Sequence, residues 1–154
     1  ARVKRDPLFM KFLSGEKQKI FTAEMFGVPW KIKMDSYCEN ICIADLKVVK
    51  NFRSIPLWRY DIQGAVYQEV TRLNTGSRLP FYLAPATKER VTDFDLFQIP
   101  QDMLDYALSE VEGNIKRYAA VKSDDVEPLS CGECDYCKSV KSASVRNYNE
   151  LGGM

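Results

Sequence analysis

Ile41-Cys42-Ile43-Ala44-Asp45-Leu46-Lys47-Val48 is an apolar, β-branched run interrupted by one carboxylate and one ammonium. Side chains alternate between the two faces of a strand, so Asp45 and Lys47 emerge together while Cys42, Ala44, Leu46 and Val48 point the other way. The apolar surroundings mark a central strand, where a charged pair costs free energy unless it has a partner or a task. On an edge strand the same pair would be an ordinary surface ion pair. Asp35 closes the preceding strand, and a short hairpin through Tyr37 to Asn40 brings its carboxylate alongside. Two carboxylates and a main-chain carbonyl form a partial shell for Mg2+ or Mn2+, hard ions that take oxygen ligands in octahedral geometry and keep several waters.

Upstream, Gln18 to Phe26 and Val28 to Ser36 are strand-like and break at Gly27-Val28-Pro29. With Ile41 to Val49, after a break at Glu39-Asn40, they predict an antiparallel meander. Residues 8–13, LFMKFL, predict the end of a helix closed by Ser14-Gly15. Downstream, the spacing predicts a helix from Trp58 to Leu73 with Ile62, Ala65, Val66 and Leu73 on its apolar face and Asn74-Thr75-Gly76 as its stop. Gln63 and Tyr67, four apart on that helix, share a face, where an amide and a phenol beside a metal are placed to position a phosphate. Strands are expected at Leu79 to Ala84 and Asp93 to Ile99. A second helix follows from Gln101 to about Val121, with Met103, Leu104, Ala107, Leu108, Val111 and Ile115 as its stripe. The order predicts an α/β (α+β) domain with a mixed central sheet flanked by helices.

The chain has 154 residues, enough for one compact domain, and no histidine. That excludes Ser-His and Cys-His pairs, histidine-ligated metal sites and an imidazole base within these residues. Net charge is +1, but residues 11–59 hold nine Lys or Arg against five Asp or Glu, whereas residues 93–135 hold three against eleven. The first half is therefore basic. Lys31, Lys33, Lys50, Arg53 and Arg59 flank the acidic positions and are candidates to track a nucleic-acid backbone. Trp30, Phe52 and Trp58 are candidates to stack on a base or to pack in the core. No apolar run approaches a membrane span and the start lacks a signal-peptide core, so a cytoplasmic location is expected.

Taken together, Asp35, then Asp45-Leu46-Lys47, then Gln63 to Tyr67 resemble the PD-(D/E)XK nuclease superfamily in its RecB-like branch, which carries a trailing Q-x-x-x-Y motif. The hairpin Phe26 to Asp35, the strand Ile43 to Lys47 and the helix Tyr60 to Tyr67 look most like the RecE-type (exodeoxyribonuclease VIII-like) phage exonucleases. The resemblance covers roughly residues 18–137 and implies a restriction-endonuclease-like core. It implies that Asp35 and Asp45 ligate Mg2+ or Mn2+ with help from the Leu46 carbonyl, and that Lys47 orients the attacking water. Gln63 and Tyr67 would contact the DNA end or its phosphate, with Glu24 an outside candidate for a further ligand. The implied activity is a metal-dependent exonuclease working on duplex ends, as a homo-oligomer and beside a single-strand annealing protein. Relatives resemble one another in a histidine on a helix upstream of the hairpin. The expectation is thus a nuclease-like domain over 1–138 that lacks its N-terminal part and is weakly active or inactive alone, then a loosely ordered tail over 139–154.

Cys131, Cys134 and Cys137 form C-x-x-C-x-x-C, a spacing in which thiolates share one zinc or an iron–sulfur cluster. RecE-like sequences resemble this C-G-x-C-x-Y-C ending, and AddB-type nucleases resemble it in pinning their core with a [4Fe–4S] cluster. Cys42 is expected inside the sheet and Cys38 in the hairpin turn, so neither supplies an obvious fourth ligand. Two alternatives stay open: a non-catalytic DNA-binding or interaction module stapled by a cysteine-ligated metal, and a restriction-type endonuclease.

Overall fold

A computed structural model describes residues 2–145 and 147 of the chain. They divide into two compact units, one ending at Ala119 and one starting at Ala120. The first opens on α1 (Pro7–Phe12), fixed by Pro7 at the first helical position and by Asp6, whose carboxylate accepts from Phe9 N at 2.8 Å. β1 (Lys19–Met25) and β2 (Val28–Met34) then pair antiparallel, with Lys19 opposite Met34 and Met25 opposite Val28. Phe26 and Gly27 form their turn at φ of 57° and 76°, the double left-handed conformation that matches strand twist.

This hairpin is a sheet of its own, which corrects the expected meander. The chain breaks at Asp35, and a short β3 (Ser36–Cys38), not β2, pairs antiparallel with β4 (Cys42–Val49). The other edge of β3 is already taken. Tyr37 and Glu16 exchange two backbone hydrogen bonds of 2.9 Å, and the buried Ser36 hydroxyl accepts from Gly15 N at 3.0 Å and donates to the Phe12 carbonyl at 2.9 Å. Cys38 accordingly ends β3 opposite Cys42, and the turn lies beyond it, where Asn40 is left-handed at φ 57°.

β4 runs parallel to β5 (Phe81–Thr87), and β5 pairs antiparallel with β6 (Phe97–Gln98), giving the order β3-β4-β5-β6. Parallel neighbours need a crossover, here a 3-10 turn over Phe52–Trp58 followed by α2 (Tyr60–Thr75). Helix α2 starts two residues later than its spacing predicts, because Pro56 lies in the 3-10 turn and Arg59 adopts a left-handed φ of 47°. β5 runs past its expected end at Ala84 because Pro85 is accommodated, its carbonyl accepting from Asp95 N at 3.3 Å. Most of the strand expected over residues 93–99 is irregular. The carboxylates of Asp93 and Asp95 accept from the amides of Phe94 and Leu96, and Phe94 meets β5 as an isolated bridge to Ala86.

The core gathers Met34, Ile43, Val70 and Phe81 with Leu104 of α3 (Gln101–Lys122). Gly64 lets α2 lie close: a Cβ there would fall 2.7 Å from a ring carbon of Phe81 and 3.0 Å from a methyl of Leu104. Leu73 and Met103, assigned to apolar stripes by spacing, are exposed. Gln68 is buried instead, donating to the Leu79 carbonyl at 2.8 Å and exchanging hydrogen bonds with Gln101. The second unit carries α4 (Asp135–Val140). Half of the tail expected over 139–154, residues 146 and 148–154, lies outside the described residues. Among the described residues no helix is long and apolar enough to cross a membrane.

Candidate active site

The middle of β4 and the break at Asp35 bring the acidic positions together. Asp45 is 3% exposed, whereas its neighbours Leu46 and Val48, on the opposite face of the strand, are exposed. Its Oδ1 accepts from Gln63 Nε2 at 3.3 Å, so α2 orients the carboxylate across the sheet. Its Oδ2 faces the Lys47 ammonium in an ion pair at 2.6 Å. Burial raises the Asp45 pKa, Lys47 opposes that, and the nearby Asp35 charge adds to the rise. A second carboxylate close enough to be felt, beside a buried carboxylate whose second oxygen faces a single lysine, is a donor set that fits a hard divalent cation.

Asp35 is held from two sides. Its Oδ2 accepts from Leu46 N at 3.1 Å and its Oδ1 from Gln18 Nε2 at 3.0 Å. Gln18, itself left-handed at φ 54°, was not singled out by sequence reasoning, since only the β1–β2 register brings it to Asp35. Lys47 also lies 4.9 Å from the centre of the Tyr60 ring, another residue that no motif spacing marks. Tyr60 in turn lines an apolar cleft of about 470 Å3 with Phe52, Ile55, Leu83, Phe97 and Met103.

Asp35, Asp45, Leu46, Lys47 and Gln63 thus meet in one place. Tyr67 is one helical turn further on, with its hydroxyl donating to the Lys33 carbonyl at 2.9 Å. Glu24 stands on the outer face of the hairpin, opposite Pro29 and exposed. Lys31 and Lys33 share that face, and Lys50 and Arg53 are exposed beyond β4. Arg59 differs from them: its guanidinium is engaged by Asp61 at 3.0 Å and Glu110 at 2.6 Å, tying the start of α2 to α3. Of the candidate stacking residues, Trp30 packs against the core and donates to the Met25 carbonyl at 2.9 Å, and Phe52 lies edge-on to Phe97. Trp58 is 65% exposed.

In the second unit, the Sγ atoms of Cys131, Cys134 and Cys137 all lie within 4.8 Å of one another. The Ser130 hydroxyl donates to Cys137 Sγ at 3.1 Å, and with the Gly132 amide it lowers the Cys137 thiol to about 6. Cys38 and Cys42 are a cross-strand pair in the first unit, where burial pushes the Cys42 thiol up to about 12.

A solved structure from Eubacterium rectale, described as a "putative exonuclease", superposes with a TM-score of 0.87 at 41% identity. The match takes in 99% of this chain, which spans 63% of that protein's length. No curated protein matches. The model of a family described as a "PDDEXK-like domain of unknown function (DUF3799)" matches residues 1–140, and the restriction-endonuclease-like arrangement of a mixed sheet with flanking helices agrees with it. The chain belongs to this PDDEXK-like family.

Proposed function

We propose that this domain hydrolyses DNA phosphodiester bonds, as a Mg2+- or Mn2+-dependent exonuclease of RecE type acting at duplex ends in phage-type recombination. The observation that carries the reading is Asp45, a carboxylate buried in the middle of a central strand, one oxygen held by Gln63 and the other facing the Lys47 ammonium. Membership of the PDDEXK-like family and likeness to the Eubacterium rectale protein support it.

Asp35 and Asp45 would hold the cation, assisted by the main-chain carbonyl of Leu46. A bound divalent ion supplies a water of lowered pKa and neutralises charge developing on phosphate oxygens. The chain's own residues do the rest. Gln63 and the Leu46 amide fix the two carboxylates, so little reorganisation is needed when substrate arrives. Lys47, kept upright between Asp45 and the Tyr60 ring, donates to the attacking water and to the phosphate. Gln63 and Tyr67 meet the phosphate at the DNA end, while Lys31, Lys33, Lys50 and Arg53 follow the backbone. A homo-oligomer encircling duplex DNA, handing its single-stranded product to an annealing protein, completes the proposal.

The test is digestion of linear duplex DNA with Mg2+ or Mn2+. Slow degradation by wild type, lost in Asp45→Ala and Lys47→Ala variants that keep their circular-dichroism spectra, is the expected result. DNA binding without cleavage under any divalent ion would favour a non-catalytic module, and equal cleavage of closed circles would favour an endonuclease.

A further inference from the structure

The cysteines of the second unit take no part in the site above, and their geometry separates the two metal centres that their spacing allows. We propose that Cys131, Cys134 and Cys137 bind a single thiophilic divalent ion, Zn2+ in class, in a site independent of Asp45 and Lys47. Four sulfurs or nitrogens around zinc stand at tetrahedral corners, and Zn–S bonds of about 2.3 Å place neighbouring sulfurs about 3.8 Å apart. Cys131 Sγ and Cys137 Sγ are 3.7 Å apart, and all three sulfurs fall within 4.8 Å. A cubane cluster sets each thiolate on its own iron at a separate corner, which spreads the sulfurs much further than ligands of one ion.

The backbone prepares the same centre. The amide of Cys134 donates to Cys131 Sγ at 3.3 Å, and that of Cys137 donates to Cys134 Sγ at 3.4 Å. Two of the three cysteine amides thus point at the sulfur three residues earlier, in two consecutive turns, with Gly132 supplying a left-handed φ of 72° in the first. Amide donors directed at sulfur favour the negative thiolate that a metal needs. Among the described residues no histidine, aspartate, glutamate or further cysteine joins the three. A cavity of about 510 Å3 bordered by Cys131, Cys137, Ser130, Glu133 and Lys141 leaves room for water or an added ligand as the fourth donor.

The experiment is elemental analysis of the purified full chain, followed by Zn2+ titration and Co2+ substitution of the chelator-treated protein. One zinc per chain is expected, with the visible bands of tetrahedral cobalt–thiolate coordination on substitution and protection of Cys131, Cys134 and Cys137 from alkylation when Zn2+ is added. Cys131→Ser and Cys137→Ser should each weaken Zn2+ binding by about 100-fold or more, without altering DNA cleavage by the first unit. Iron with acid-labile sulfide in the chain as purified would overturn the proposal in favour of a cluster. Octahedral cobalt spectra with Cys131, Cys134 and Cys137 as reactive in the presence of Zn2+ as in its absence would overturn it in favour of free cysteines. Loss of cleavage in Asp45→Ala bears on the nuclease reading alone, because neither cysteine readout passes through that site.

Discussion

Asp45 is a residue whose burial opposes its charge. In the metal-free protein the folded chain binds a proton at Asp45 more tightly than the unfolded chain does, because burial and Asp35 raise its pKa above the ordinary value of 3.8. The stabilising contribution of the protonated form is full below that value and is lost as pH rises through the elevated folded pKa. Asp45→Asn removes the buried charge and keeps an oxygen for Gln63, so this variant should be as stable as wild type or more so near neutral pH, with a flatter dependence of Tm on pH in the presence of chelator. Thermal melts between pH 3 and 8 read both. Cleavage should fall by on the order of 10²–10³ or more in the same variant, since a divalent ion loses an anionic ligand. A site retained for chemistry gives this combination; a structural ion pair would lose stability with its charge. The sequence could place Asp45 and Lys47 on one face because strand alternation is local. It could not place Gln18 or Tyr60, which reach the site through register and through the 3-10 turn before α2.

At the scale of the element, α2 is the part that turns a sheet into a site. Its face toward the sheet carries Gly64 against Phe81 and Leu104, with Gln63 next to it in the chain reaching Asp45. Adding a methyl group at Gly64 asks two buried side chains to move at once, and overpacking of this kind costs about 1–3 kcal/mol. Gly64→Ala should therefore lower Tm despite the better helix propensity of alanine, and should lower cleavage more than stability because it lifts Gln63 away from the carboxylate. Chemical denaturation beside a rate measurement separates the two effects; a variant as stable as wild type would show that α2 has slack against the sheet. Element types were legible wherever periodicity was strong, as in β1, β2, β4, α2 and α3. The meander was misread because Asp35 and the Glu16–Tyr37 pairing divide one apparent run between two sheets, a non-local event. Gln68 and Thr71 escaped notice for a related reason: their burial depends on partners, Gln101 and Leu79 for one and Met34 for the other, that arrive from distant elements.

For the whole molecule the decisive quantity is where positive charge is free. The sequence puts basic residues in the first half of the chain, and structure separates those that face solvent from those already paired. Lys31 and Lys33 stand on the outer face of the β1–β2 hairpin, but Arg59 is spent on Asp61 and Glu110. Each phosphate contact made by a cation releases condensed counterions, so the slope of log K against log salt for duplex DNA falls by about 0.9 for every contact removed. A Lys31→Gln, Lys33→Gln double variant should bind DNA more weakly at low salt, with a slope shallower by about 1.8 and Tm little changed. Arg59→Gln should do the reverse, leaving the salt slope intact while lowering Tm through loss of the link between α2 and α3. Fluorescence anisotropy across a salt series, with Ca2+ in place of Mg2+ to suppress hydrolysis, measures both slopes. Equal slopes for wild type and the double variant would move the DNA track off the hairpin and toward Lys50 and Arg53, which follow the end of β4. In that case the exposed Trp58, which follows them in the chain, becomes the residue to test for stacking.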